Sequence, residues 1–351
     1  MTSAVSGGYS RVTRKLSLTP GDHGASDTHG AALTPGMIVP LCPPQYAQRV
    51  TSGTPRQLTG QLTMTHTPQT GLPTPLVSVD WLAAHLDHPQ LVILDAHMPP
   101  PGTTAPAEAA LQIPGARRFD FDGRIKAPDT TLPHMLPTPE LFNREVQALG
   151  IQQQSLIVVY DRIGLFSAPR AWWMFRAMGH AQVAVLDGGL PAWQAAGHPL
   201  AAVADYQGPQ GNFVARLQPG LFCDADTVHS ALVSGRRPVV DARSAERFAG
   251  LVPEPRAGLR CGHMPGALNL PFATLQQAGH MKPLADLQQQ FSALLGNQTA
   301  PIFSCGSGVT ACILALAAEL AGYDQLTVYD GSWSEWGADP ARPVVSERVT
   351  D

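Results

Sequence analysis

One cysteine in this chain lies where its neighbours should make it reactive. Cys305 ends a short apolar run and is followed by Gly-Ser-Gly-Val-Thr and then by the apolar stretch ACILALAAELAG (311–322). This order predicts a buried strand, a tight loop and the first turn of a helix. Gly306 and Gly308 allow the loop to turn several N–H groups inward, and the helix N-terminus adds positive potential. Such surroundings favour the thiolate of Cys305, the nucleophilic form.

The segments that must position this loop alternate between strand and helix patterns. The runs Leu91–Leu94 and SLIVVYD (155–161) are apolar and predict buried strands. SAPRAWWMFRAMGH (167–180) predicts a helix with proline in its first turn, and residues 181–199 predict a strand, a glycine turn and a short helix. Apolar strands alternating with helices indicate an α/β fold with a parallel sheet covered on both faces. Ligands of such sheets bind at the carboxyl ends of the strands, where Cys305 is placed.

An internal repeat organises the chain. Four segments recur in the same order, with offsets of 146, 151, 144 and 143 residues. They are LVILDA (91–96) with PVVDAR (238–243), IPGARRFDF (113–121) with MPGALNLPF (264–272), VVYD (158–161) with IFSC (302–305), and VLDGGLPAW (185–193) with VYDGSWSEW (328–336). Four matches in register predict a tandem duplication.

The repeat sets the predicted domain boundaries and separates the two copies chemically. We predict a first domain over 71–200, a linker rich in Gly, Pro and Gln over 201–219, and a second domain over 220–345. Asp161 stands in the first copy where the second has Cys305. The second domain is therefore predicted to be catalytic and the first to be inactive.

The first seventy residues differ from the rest of the chain. They hold 12 Thr, 8 Gly, 7 Pro and 6 Ser, with no Trp or Phe. Such a composition cannot bury enough apolar surface to offset the entropy of ordering, which predicts a disordered extension over 1–70. The first twenty residues contain three basic residues and no acid, which is weak evidence for a transit peptide: Arg11, Arg14 and Lys15. Met64 is a candidate for the true start of the protein, which leaves the translation of residues 1–63 open.

Composition excludes several classes of function. The chain has 27 acidic and 23 basic residues, a net charge of −4, so no basic excess exists to bind nucleic acid. No run approaches the roughly 18 apolar residues of a membrane span. The five cysteines, at 42, 223, 261, 305 and 312, are odd in number and widely spaced. They favour free thiols in a reducing, cytoplasmic compartment. We expect no metal site, and Cys312 is predicted to be a core residue.

Several motifs together resemble the two-domain rhodanese-type sulfurtransferases, in particular their 3-mercaptopyruvate branch. They are CGSGVTA (305–311), YDGSWSEW (329–336), GHMPGA (262–267) and SAPRAWWMFRAMGH (167–180). The resemblance implies two tandem rhodanese-like domains, each a parallel sheet flanked by helices. It also implies that Cys305 takes a sulfur atom as a persulfide and passes it to a thiol, cyanide or protein acceptor, without a cofactor.

The same resemblance assigns roles to residues outside the cysteine. Arg247 and Arg256 match the two arginines that bind the donor carboxylate, and a guanidinium suits a carboxylate. Ser307, His134 and Asp122 match a serine–histidine–aspartate set that would relay a proton or polarise the donor carbonyl. Pro133 precedes the histidine where the family often has an acid. The remaining predicted substrate-binding residues belong to the loop: Gly306, Gly308, Val309 and Thr310.

Alternative functions and partners follow from the same residues. Thiosulfate-preferring relatives carry cations just after the cysteine, whereas Gly306 and Ser307 are neutral, which favours 3-mercaptopyruvate and leaves a thiosulfate:cyanide sulfurtransferase as the alternative. A cysteine phosphatase needs an arginine six residues after the cysteine, but Ala311 occupies that position, so a phosphatase is excluded. The first domain alone could be a non-catalytic binding module. The expected partners are small-molecule donors and acceptors and a thioredoxin-like reductant, with no nucleic acid and no membrane. The mitochondrion is the alternative compartment.

Overall fold

The computed structural model describes residues 71–73, 75–99 and 111–347. The predicted disordered extension over 1–70, with Met64, lies outside these residues. Within them, no helix is long and apolar enough to cross a membrane.

The first half of the described chain contains seven strands and four helices. In chain order they are β1 (Leu76–Val77), α1 (Val79–Ala84), β2 (Leu91–Asp95), β3 (Leu111–Gln112), β4 (Arg117–Arg118), α2 (Pro139–Ala148), β5 (Leu156–Tyr160), α3 (Ala168–Ala177), β6 (Val183–Leu186), α4 (Gly189–Ala195) and β7 (Ala201–Ala202).

The second half follows with seven strands, five helices and one 3₁₀ turn, Phe272–Leu275. The strands and helices are β8 (Phe222–Cys223), α5 (Ala225–Ser234), β9 (Val239–Asp241), α6 (Ala245–Ala249), β10 (Leu268–Asn269), β11 (Gln276–Gln277), β12 (His280–Met281), α7 (Leu284–Leu295), β13 (Ile302–Ser304), α8 (Ala311–Leu320), β14 (Thr327–Tyr329) and α9 (Ser332–Trp336).

Each half contains a five-stranded sheet, and the two sheets have the same strand order. The first runs β1-β6-β5-β2-β4, and the second runs β8-β14-β13-β9-β10. Every pairing within these sheets is parallel. The repeated segments occupy equivalent strands, which confirms the predicted parallel sheets flanked by helices.

The two sheets are joined by a shared core. Helix α8 is apolar and buried on every side from Ala311 to Ala318. It packs against α3 of the first half. One apolar cluster therefore contains Trp172 and Trp173 of the first half together with Ile313 and Leu316 of the second. Cys312 is fully buried in that cluster, as predicted.

Two smaller pairings complete the fold. Strand β7, at the start of the predicted linker, pairs antiparallel with β3, and Phe213 farther along the linker is buried against the first half. Strands β11 and β12 form a two-stranded antiparallel sheet. The latter sheet reaches the first half, because Met281 N–H donates to Asp187 (2.9 Å) and Gln276 donates to the carbonyl of Leu165 (2.5 Å).

Candidate active site

Cys305 lies between β13 and α8 at the carboxyl edge of the second sheet, with a side chain that is almost wholly buried. Its carbonyl accepts a hydrogen bond from Trp333 N–H (2.9 Å), and the carbonyl of Gly306 accepts from Ser334 N–H (2.9 Å) and Oγ (2.7 Å). Because the C=O and N–H of a trans peptide point in opposite directions, the N–H groups of Gly306 and Ser307 point away from α9. The repeated YDGSWSEW motif thus orients the loop.

The two loop glycines have different roles. Gly308 has φ +74°, and a Cβ there would lie 2.7 Å from the carbonyl oxygen of Asp330. Gly306 is not in the left-handed region, and its importance is space, since a Cβ would lie 3.1 Å from Arg247 Nη2. The predicted need for backbone freedom therefore holds at Gly308, while Gly306 leaves room for a substrate-binding candidate.

The first half shows how an equivalent loop binds an anion. Asp161 Oδ2 accepts hydrogen bonds from the N–H groups of Phe166 (2.7 Å), Ser167 (2.9 Å) and Ala168 (3.0 Å), and Oδ1 accepts from Ile163 (3.1 Å). The carboxylate thus fills an N–H cradle formed by its own loop. Cys305 takes the place of Asp161 in the second half, and the loop after it, which is one residue shorter, also leads into the first turn of a helix.

A cavity of about 240 Å³ opens beside Cys305. Its size suits a small donor, and both halves contribute to it. The lining residues are Met98 and Phe166 from the first half, and Arg243, Arg247, Pro255, Arg256, Phe272, Cys305, Gly306, Ser307, Val309 and Thr310 from the second. The cavity therefore brings together every predicted substrate-binding residue except Gly308, which shapes the loop behind it.

Arg247, at one wall of the cavity, is held by a buried acid. Its Nε and Nη2 donate to the two carboxylate oxygens of Glu254, at 3.3 and 2.5 Å. Glu254 also accepts from Arg243 Nη1 at 2.8 Å. The side-on edge of the Arg247 guanidinium is therefore occupied by protein, and its Nη1 makes no hydrogen bond within the described residues.

Arg256 connects the cavity to the predicted histidine–aspartate pair. Its Nη2 lies 3.2 Å from His134 Nε2, and His134 Nδ1 lies 2.8 Å from Asp122 Oδ1, at an ion-pair distance but without the angle of a hydrogen bond. Burial lowers the pKa of His134, the Arg170 and Arg256 guanidiniums lower it further, and Asp122 opposes them. A neutral imidazole follows, with Nε2 accepting from Arg256. The contact with His134 in turn lowers the pKa of Asp122.

Ser307 is nearly buried and lines the cavity. In the described part of the chain, no hydrogen bond joins its hydroxyl to His134. The structure thus brings Asp122 and His134 together and places Ser307 in the same cavity wall as Arg256, while a three-membered relay through Ser307 stays a prediction.

Sequence reasoning missed a buried arginine that links the halves at the site. Arg170 of α3 is completely buried, and its guanidinium donates to Asp330 Oδ1 (2.7 Å), the carbonyl of His134 (2.5 Å) and the carbonyl of Gly308 (3.2 Å). Asp330 Oδ2 also accepts from Leu136 N–H at 2.8 Å. The only available signal was an arginine within a largely apolar helix pattern that also contains Arg176.

The two repeated Asp-Gly turns do more than shape the backbone. Asp330 forms an ion pair with Arg170 of the other half. Asp187 accepts a hydrogen bond from Met281 N–H and lies 3.1 Å from His280 Nδ1. Each carboxylate therefore satisfies polar groups of the opposite half, because the turns lie where the two halves meet.

Comparison with known proteins agrees with this geometry. Residues 78–196 and 224–339 each match the family of rhodanese-like domains. The chain is 41% identical over 297 residues to thiosulfate/3-mercaptopyruvate sulfurtransferase 1, mitochondrial, of Arabidopsis thaliana, covering 78% of both chains. It is 41% identical over 273 residues to 3-mercaptopyruvate sulfurtransferase of Escherichia coli strain K12, covering 76% of this chain and 96% of the relative.

A solved structure gives the same result for the fold. The crystal structure of SseA from Escherichia coli, described as a 3-mercaptopyruvate sulfotransferase, superimposes with a TM-score of 0.67 at 38% identity, over 74% of this chain and 99% of that one. The predicted pair of rhodanese-like domains is confirmed. The chain belongs to the rhodanese-like sulfurtransferases, as a tandem pair of rhodanese domains.

Proposed function

We propose that the enzyme transfers sulfur from 3-mercaptopyruvate to a thiol or cyanide acceptor through a persulfide on Cys305. The observation that carries the proposal is the cavity itself, which places the thiol of Cys305 and two guanidiniums, those of Arg247 and Arg256, around a volume of about 240 Å³. A thiol and a carboxylate at opposite ends of a small donor match these groups.

In the first step, the Cys305 thiolate attacks the donor sulfur. A bond forms between the two sulfur atoms, and the carbon–sulfur bond breaks with its electron pair passing to carbon. The resulting pyruvate enolate takes up the proton of the donor thiol, which leaves pyruvate and a persulfide anion on the enzyme. The N–H groups of the loop after Cys305 stabilise that anion as the equivalent loop stabilises the Asp161 carboxylate.

The surrounding side chains have separate tasks in this step. Arg247 and Arg256 bind the donor carboxylate and place its sulfur at Cys305. The Ser307 hydroxyl lines the same cavity and passes the donor proton towards carbon. His134, neutral because it is buried, accepts from Arg256 through Nε2 and so fixes that guanidinium, while Asp122 orients the imidazole.

In the second step, the acceptor removes the outer sulfur. A thiol or cyanide attacks it, the sulfur–sulfur bond breaks, and the Cys305 thiolate is restored. A thiol acceptor leaves as a persulfide, and cyanide leaves as thiocyanate. We propose a thioredoxin-like dithiol as the reductant that then releases sulfide from such a persulfide.

The proposed function and the alternative, a thiosulfate:cyanide sulfurtransferase, differ in the sulfur donor. Gly306 and Ser307 add no charge beside Cys305, which favours a monoanionic donor over dianionic thiosulfate. Three relatives carry thiosulfate in their names, including thiosulfate sulfurtransferase of Gallus gallus at 40% identity. Initial rates with both donors and one cyanide concentration test the proposal. Higher kcat/KM for 3-mercaptopyruvate is expected, and a preference for thiosulfate would establish the alternative.

We also propose that the enzyme works in the cytoplasm. The proposal is supported by five cysteines in an odd and widely spaced set. The Arabidopsis relative is named as mitochondrial. Fractionation of cells that express the full chain tests the compartment, and recovery with the mitochondrial matrix would contradict it.

A further inference from the structure

Glu254 is a buried acid to which the mechanism above gives no part. Its side chain is 1% exposed and lies between two guanidiniums that line the cavity. Arg243 Nη1 donates to one carboxylate oxygen at 2.8 Å, and Arg247 donates to both. A carboxylate removed from water in this way is tolerated when it is paired, as this one is by two guanidiniums.

The ion pairs of Glu254 extend behind the cavity into a row of alternating charges. Arg243 is completely buried, and its Nε and Nη2 donate to Asp241 Oδ2 at 2.9 and 2.7 Å. Its guanidinium lies 4.1 Å from the centre of the Trp333 ring. Asp241, Arg243, Glu254 and Arg247 therefore form a row in which two positive and two negative charges cancel.

Arg256 also lines the cavity, and neither carboxylate of this row pairs with it. Within residues 75–99 and 111–347, no carboxylate lies within ion-pair distance of it, and its polar contact is the neutral His134. One other charge pair and one lone carboxylate lie nearby. Arg170 and Asp330 cancel each other. Asp122 attracts Arg256 from behind His134, but it does not line the cavity and its side chain is 43% exposed, so water weakens its charge there. The wall that faces the donor thus carries one net positive charge.

We propose that Glu254 determines donor specificity by limiting the cavity wall to a single positive charge. One such charge balances the carboxylate of a 2-oxo-3-thiol acid and leaves the second charge of thiosulfate without a partner. The inference rests on the proposed function and deepens it. Because Glu254 is buried, its charge is weakly screened and acts strongly on an anion a few ångströms away.

The test replaces Glu254 with residues that change charge and shape separately. Glu254→Gln keeps the shape and removes the charge, so kcat/KM for thiosulfate divided by that for 3-mercaptopyruvate should rise by about tenfold or more. Glu254→Asp keeps the charge and withdraws the carboxylate, so both rates should fall while the ratio stays near the wild-type value. Glu246→Gln, on the exposed face of α6, changes the net charge equally and should leave the ratio unchanged.

A measurement on the unaltered enzyme covers the case in which Glu254→Gln does not fold. Pyruvate carries one negative charge and malonate carries two at similar size. As competitive inhibitors against 3-mercaptopyruvate, pyruvate should bind about tenfold or more tightly than malonate. Equal losses for both donors in Glu254→Gln, or malonate binding as tightly as pyruvate, would overturn the inference. An unaltered enzyme that does not use 3-mercaptopyruvate would instead overturn the proposed function.

Discussion

Replacing Arg170 with methionine should destabilise the protein far more than a typical arginine substitution. The guanidinium is fully buried and donates to one carboxylate and two carbonyls, those of Asp330, His134 and Gly308. It also lies 4.7 Å from the centre of the Phe222 ring. Methionine fills much of the same space but leaves all three oxygens without this donor.

The expected cost follows from what stays behind in the buried site. Removing one partner of a buried ion pair costs about 3–5 kcal/mol, because the other charge is left uncompensated. Asp330 keeps its hydrogen bond from Leu136 N–H, which places the expected loss in the free energy of unfolding near the lower end, at about 3 kcal/mol. Asp330→Asn in the same chain should recover part of the loss, since the unpaired charge is then absent.

Helix α3 supplies a matched control. Arg176, also on α3, pairs with Glu319 across the same two halves, but its side chain is 29% exposed. Arg176→Met should therefore cost about 0–1 kcal/mol. Urea unfolding followed by tryptophan fluorescence compares the variants. If Arg170→Met costs no more than Arg176→Met, the buried network does not hold the halves together and the reasoning fails.

Three further predictions concern the site. Arg247→Ala and Arg256→Ala should each raise KM for 3-mercaptopyruvate and lower kcat/KM roughly 10- to 150-fold, the equivalent of about 1.5–3 kcal/mol. Lysine at either position should recover part of the lost kcat/KM, and unchanged donor kinetics would show that these arginines do not bind the donor. Gly308→Ala should lower both Tm and sulfur transfer, because φ is +74° and the added Cβ meets a carbonyl; a wild-type Tm would contradict this. Burial lowers the pKa of His134 from 6.5, so below about pH 6.5 the unfolded chain binds a proton that the folded chain does not bind. The free energy of unfolding therefore decreases as the pH falls below that value. His134→Gln should make that fall shallower between about pH 7 and 5 in pH-dependent urea unfolding, and an unchanged slope would count against a buried neutral imidazole.

The features that the sequence predicted are those that depend on neighbours in the chain. An apolar strand, two glycines and an apolar helix are local signals, and they place Cys305 correctly between β13 and α8. The repeat predicted two equivalent sheets because each copy carries the same strands in the same order.

The features that it missed depend on contacts between distant residues. Arg170 meets Gly308 and Asp330 at separations of 138 and 160 residues, and no local pattern indicates such partners. Glu254 lies in a loop rich in proline and glycine, where an acid is usually exposed, yet its side chain is covered by two arginines. Gly306 is predicted to provide backbone freedom, whereas in the structure it leaves room for Arg247, whose Nη2 would lie 3.1 Å from a Cβ at this position.

The central claim is that Cys305 carries the transferred sulfur. Intact-mass and peptide mass spectrometry of the enzyme incubated with 3-mercaptopyruvate, without an acceptor, test it directly. The peptide that contains Cys305 should gain the mass of one sulfur atom and lose it again when a thiol acceptor is added, and Cys305→Ser should show no gain. Turnover by the serine variant, or the added sulfur on Cys223, Cys261 or Cys312 instead, would contradict the account.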